Sequence, residues 1–143
     1  MRNLEWKTIL SLSLFGPVMG LFTLFGVPPF NAEGYVWLVI SVVSAVTIAN
    51  RIGPGAFING VATGFLQGAT SKLVQGIFSG TYAAHNPGLM EKLTDVPEGM
   101  EFKYFVLMLV PFVGIGSALV LGLLTFLAGR LLRRENETDP EGL

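Results

Sequence analysis

Lys72 has more chemistry to offer than any other residue of this chain. A primary amine can act as nucleophile, base or anion ligand, and this one stands in a long stretch that holds no other Asp, Glu, Lys or Arg between Arg51 and Glu91. Around it, Asn59, Thr63, Gln67, Ser71, Gln75 and Ser79 place a hydrogen-bonding side chain at every fourth position. Residues spaced by four share one face of a helix, so these groups form a polar line beside the lysine. A Ser-Lys pair between Lys72 and Ser117 is chemically conceivable, but Ala118 follows the serine, no G-x-S-G motif surrounds it, and no histidine stands in an apolar stretch. His85, the one histidine, sits beside Asn86-Pro87 and reads as a turn residue. No H-E-x-x-H, P-loop or G-x-G-x-x-G motif is present, and without cysteine there is no thiolate metal site, disulfide or cysteine nucleophile. No catalytic residue, cofactor or metal is therefore expected.

A second series explains how such a polar segment can be packed. Gly60, Gly64, Gly68, Gly76 and Gly80 recur every four residues, and Lys72 fills the one missing place. Small residues at this spacing let another helix backbone approach closely, which is a main source of helix association in lipid. Other segments carry small residues of their own: Gly16 and Gly20, then Ser41, Ala45 and Ala49, and last Gly114, Ala118 and Gly122. Each four-residue step turns about 40° around the helix, so over twenty residues the glycine stripe winds about 200° and is expected to meet different neighbours in its two halves. Gly64 and Gly68 should be buried against helices, whereas Val61 and Leu73, off the ridge, should tolerate replacement. The polar line has two readings. Its side chains bond to neighbouring helices, or Asn59, Thr63, Gln67, Ser71, Lys72 and Gln75 line a hydrated path; a close-packed ridge beside them leaves little room for water and favours the first.

The elements that position these residues follow from composition. Hydrophobic residues make up 51% of the 143 and charged ones only 13%, about half the share of an ordinary soluble domain. Mean hydropathy is +0.60. Apolar stretches without charge are each long enough to cross a hydrocarbon core of about 30 Å. The expected fold is all-α, a four-helix transmembrane bundle with spans at about 8–27, 35–52, 56–82 and 104–129 and a short external loop between the third and fourth. Paired prolines at Pro28-Pro29 end the first span and Gly53-Pro54-Gly55 ends the second. The third is too polar to stand out, yet parity requires it: Arg51 follows the second span and Arg130, Arg133 and Arg134 follow the fourth, and the positive-inside rule puts both ends in the cytoplasm. Residues 1–134 then form one domain, with both termini cytoplasmic and 135–143 as an acidic, disordered tail. The sequon Asn136-Glu137-Thr138 falls on that tail and reads as chance. A secretory signal is a weaker reading of the N-terminus, because the apolar stretch is long and no A-x-A-like site follows. In the loop, Leu89, Met90 and Leu93 are expected on one side of a short surface helix.

Near the middle of its span, Lys72 would lie about 12 Å from the outer edge, too far to snorkel comfortably, at a cost of about 3 kcal/mol. No Asp or Glu is expected in any span to pair with it. A structural lysine in a polar interior and a functional one stay equally open.

The layout resembles a family of small four-span bacterial membrane proteins known only as a domain of unknown function. The shared features are two plain apolar spans, the turn Asn50-Arg51-Ile52-Gly53, a glycine-bearing third span entered through Gly55-Ala56-Phe57 and left through Tyr82, Asn86-Pro87 in the loop, and a last span starting near Pro111 and Gly114 and ending in Arg130 to Arg134. The family usually has a longer, more charged loop and a more apolar third span. The resemblance implies a fold and a bacterial inner membrane, and brings no activity or catalytic residues with it. The expected role is a non-enzymatic packing protein, a homo-oligomer or accessory subunit of a larger membrane assembly. The alternatives are a small transporter or channel element with a polar path along the third helix and, last, an intramembrane enzyme. Partners are membrane lipids and this chain or another membrane protein; with a net charge of −1 and no basic run, nucleic acid is not among them.

Overall fold

Prolines and glycines divide the chain, and the helices between them are long. In the computed structural model, which describes residues 4–93 and 96–138 (135–138 by backbone alone), the described residues form helices and turns without a strand. In order they are α1 (Trp6–Ser13), α2 (Phe15–Leu24), α3 (Phe30–Ile52), α4 (Ala56–Ile77), α5 (Ser79–His85), α6 (Pro87–Lys92) and α7 (Phe102–Thr138). Three helical segments are long and apolar enough to cross a membrane among the described residues: Trp6–Leu24, Phe30–Ile52 and Phe102–Arg134. At 22 residues α4 nearly matches the 23 of α3, but its polar line keeps it out of that group.

Boundaries differ from expectation where local backbone chemistry decides them. The first apolar segment is interrupted at Leu14, three residues before Pro17, which cannot donate to the Ser13 carbonyl and whose ring crowds it. The turn between α3 and α4 is made by Gly53 (φ 59°) and Gly55 (φ 103°), in a region that side-chain-bearing residues rarely adopt. Pro29 caps α3, which begins five residues earlier than expected and takes Glu33 into its first turn, where a carboxylate meets free N–H groups favourably. The third segment is not one helix to Tyr82: α4 ends at Ile77, Phe78 leaves helical geometry, and α5 starts at Ser79. In the expected external loop, Leu89 lies on α6 with Leu93 just beyond it. α7 remains helical to Thr138, and the remainder of the expected disordered tail, 139–143, lies outside the described residues.

α4 packs against α1, α2, α3 and α7, with α7 as its most extensive neighbour. Matching residues give the directions. Asn59 meets Glu5 and Gln75 meets Thr23, so α4 runs parallel to α1 and α2; Gly60 meets Thr125 and Gly76 meets Leu107, so it runs antiparallel to α7. The outward surfaces of α2, α3 and α7 are apolar, with Phe22, Val39, Phe112 and Leu119 all more than half exposed, while Asn59, Thr63, Gln67, Ser71 and Gln75 are buried. This is the inverse of a water-soluble protein.

The glycine ridge faces α7. A Cβ added at Gly60 would meet Thr125 Oγ1 at 2.5 Å, one at Gly64 would collide with the Ser117 carbonyl, and one at Gly68 would meet Ser117 Oγ at 2.5 Å and the Val113 carbonyl oxygen at 2.7 Å. From α7, Gly114 receives the Phe65 ring, Gly122 receives Val61, and Ala118 is buried between them. Gly16 and Gly20 of α2 sit against Gln67, Thr70, Ser71 and Val74 on another side of α4. Two expectations fail here. Gly80, which lies beyond the break at Phe78, faces open space, and the stripe does not change partners between its halves, since α7 follows it from Gly60 to Gly76. Val61 is also not a neutral position, because it packs on Gly122, whereas Leu73 is exposed.

Gly64→Ala and Gly68→Ala are each expected to lower the thermal midpoint in detergent, with a loss of about 1–3 kcal/mol typical of overpacking. Gly80→Ala and Leu73→Val should leave it unchanged, and four equal midpoints would sink the ridge.

Candidate functional site

The polar line of α4 turns toward α1, α2 and α3. Asn59 Oδ1 accepts from the Glu5 backbone N–H at 2.8 Å, just ahead of α1, while its Nδ2 donates to the Gly55 carbonyl at 3.0 Å. Gln67 Nε2 donates to the Leu12 carbonyl at 2.8 Å, beside the interruption at Leu14, and reaches Ser44 Oγ of α3 at 3.2 Å. Gln75 Nε2 donates to Thr23 Oγ1 at 2.8 Å, and Thr23 in turn donates to the Gly20 carbonyl. Three side chains of one face thus bond to three other elements. Ser71 is buried against α2, and Thr63 is fully buried with its hydroxyl unpaired. The arrangement fits the packing reading of the series, because the positions that would line a hydrated path are filled by neighbouring helices.

Lys72 leaves that line. Its Nζ donates to Gln75 Oε1 at 2.7 Å, so Gln75 links the lysine to Thr23. The lysine lines a cleft of about 400 Å³ between α3, α4, α5 and α7, together with Glu33, Trp37, Tyr82, Phe105 and Leu109. Lys72 is five residues from the end of α4, about 7.5 Å along the axis, which is closer to that end than its sequence position implied. An acidic residue also stands within electrostatic reach: Glu33 bears on Lys72 across the cleft. No Asp or Glu is expected in any span to pair with the lysine; the early start of α3 brings Glu33 into a span-length helix, though the two do not bond to each other. Each group bonds elsewhere, Lys72 to Gln75 and Glu33 Oε1 to the Trp37 indole N–H at 3.4 Å.

The walls are mostly apolar and aromatic. Tyr82 is buried and stacks on Phe102, with ring centroids 6.3 Å apart and planes 14° apart. Leu89 and Leu93 line the cleft, and the ammonium of Lys92 lies 5.4 Å from the Phe30 ring centroid. Asn86 fixes α5 over α2 by donating to the carbonyls of Thr23 and Tyr82, both at 2.8 Å.

Lys72 and Ser117 form no hydrogen bond: Lys72 Nζ donates to Gln75 Oε1, and the Ser117 hydroxyl lies against Gly68, one turn earlier on α4. His85 stands at the end of α5 with Nδ1 2.9 Å from the Thr81 carbonyl oxygen and its ring edge-on to Phe25, as suits a turn residue. Glu33, Trp37, Phe102 and Phe105 are the cleft residues that sequence reasoning missed. For Glu33 a signal existed: proline, then an acidic residue four positions on, marks a helix start.

Apolar outside, hydrogen-bonded inside and carrying, among the described residues, three helices long and apolar enough to cross a bilayer, the chain has the makeup of a helical membrane protein. No family model, curated protein or solved structure matches it.

The chain has no cysteine, so single-cysteine labelling reads accessibility cleanly. Gln67→Cys and Ser71→Cys, at positions 2% and 3% exposed, should resist a membrane-impermeant maleimide, whereas Glu33→Cys should react. Rapid labelling at 67 and 71 would restore the hydrated path.

Proposed function

We propose that the chain is a four-span, non-enzymatic membrane protein that holds an amphiphilic molecule in the cleft beside Lys72. The observation that carries the reading is the pairing of two opposite charges, Lys72 and Glu33, with apolar and aromatic walls in one cleft, the charges bonded to separate partners. An amphiphile needs both kinds of surface, and the volume falls within the usual range for small-molecule sites.

Crossing by α4 is supported by its course. It lies parallel beside α1 and α2 from Asn59 at Glu5 to Gln75 at Thr23, and so covers the depth that the first apolar segment covers. Four crossings put Arg2, Lys7, Arg51, Arg130, Arg133 and Arg134 on the cytoplasmic side and only Lys92 and Lys103 outside, with the cleft at the outer end. A bacterial inner membrane fits this layout and the family resemblance. The packing role assigned to the glycines is supported within the chain: Gly60, Gly64, Gly68 and Gly76 meet α7, and Gly16 and Gly20 meet α4, so self-association through these ridges has little free surface. An accessory-subunit role would instead use the exposed apolar faces or the cleft.

Two measurements test the reading. Under four crossings, a cysteine at Glu98 should be labelled from outside intact cells and one at Pro54, just ahead of α4, only after permeabilisation; labelling of both from one side would remove the crossing by α4. In native mass spectrometry from mild detergent, Val106→Trp, which fills the cleft, should strip retained lipid, while Phe112→Trp on the exposed face should not. Equal retention by both variants would place the lipid elsewhere and end the cleft reading.

A further inference from the structure

The cleft's two charges also specify what kind of amphiphile it takes. We infer that it recognises a zwitterionic phospholipid headgroup carrying a primary amine, a phosphoethanolamine lipid, with Lys72 on the phosphate and Glu33 on the ammonium. This rests on the cleft reading above and adds the chemistry of the ligand.

The first support is the unclosed ion pair. Two opposite charges of this chain face one cleft, yet the lysine donates to Gln75 and the carboxylate accepts from Trp37. An ammonium has three N–H donors and Gln75 accepts from one, which leaves two for a phosphate. Gln75 is itself fully buried and held by its bond to Thr23, so the lysine is aimed rather than free to leave for solvent. Glu33 keeps carboxylate lone pairs beyond the single long bond from Trp37, and these require a partner that donates.

The second support is placement. Glu33 lies in the first turn of α3, Phe102 and Phe105 in the first turn of α7, and Lys72 within five residues of the end of α4, so polar and apolar groups gather at one end of the helices. That end is where a bilayer changes from headgroup to hydrocarbon in the four-span layout. From it, Phe105, Val106 and Leu109 continue as an apolar wall along α7 beside the charged groups, a surface against which an acyl chain can lie.

Charge and hydrogen bonding set the other common headgroups apart. An anionic headgroup satisfies Lys72 but sets a second negative charge against Glu33. A choline headgroup balances both charges and its quaternary ammonium suits the aromatic walls, but it has no N–H to give the carboxylate.

The test is competition on the full-length chain, using native mass spectrometry with phosphatidylethanolamine, phosphatidylglycerol and phosphatidylcholine of identical chains. The wild type should retain the ethanolamine lipid about tenfold better than either rival, the ratio one charge-assisted hydrogen bond supports. Glu33→Gln should abolish that preference and raise glycerol-lipid binding, and Lys72→Gln should weaken all three phospholipids. Equal retention of the three by the wild type, or an unchanged preference in Glu33→Gln, overturns the headgroup assignment. Should Val106→Trp still release lipid in that case, the cleft reading stands and only the ligand class falls. If Lys72→Gln does not fold, Glu33→Gln alone decides, because its carboxylate is partly exposed at a helix start and its amide keeps the size.

Discussion

The backbone contact between α4 and α7 at Gly64 and Gly68 is the constraint on which the rest depends. Between helices in lipid there is no hydrophobic drive, and close van der Waals approach takes its place. With Ser117 lying directly on those two glycines, α4 has no rotational freedom left. The residue before each glycine points about 100° away around the helix. Fixing the glycines against α7 therefore turns Asn59, Thr63, Gln67, Ser71 and Gln75 toward the helices that bond them. Two series that look independent along the chain are one orientation seen from two sides.

The contact also explains why the cleft is where it is. Lys72 stands where the next glycine of the ridge would be, and past it Gly76 meets the side chain of Leu107, with the nearest backbone atom of α7 at 3.6 Å. Pro111 lies between these two regimes inside α7; it gives no N–H to the Leu107 carbonyl and its ring crowds that carbonyl, the usual origin of a helix bend. Backbone contact on one side of Lys72 gives way to side-chain contact on the other, and Glu33 of α3 lines the cleft beside it.

Much of this was readable from spacing. Four-residue periodicity predicted both the glycine contact and the polar face, because a helix repeats nearly every four residues whatever its neighbours do. The partners were not readable. Whether α7 follows a winding ridge or abandons it depends on how the helices cross, and that is a property of the pair. Glu33 was missed through an assumption about where a span begins: charge-free length marked the apolar part of α3, while its helix starts a turn and a half earlier at Pro29. The break at Phe78 has no proline or glycine at that position to announce it, and beyond it Gly80 falls out of a series to which its spacing assigned it.

The interruption at Leu14 has a consequence for how the chain is made. Its first apolar segment is synthesised with the Leu12 carbonyl beside a proline-broken turn, where the Leu14 N–H reaches it locally; the side-chain amide of Gln67, more than fifty residues downstream, adds a second bond to the same oxygen. α4 in turn carries side chains that are costly in lipid, and their acceptors and donors at Glu5, Leu12, Thr23 and Ser44 have all been translated before it. The order of residues along the chain is thus also an order of assembly, in which the least apolar helix arrives after the groups that make it tolerable and before the helix that locks it in place.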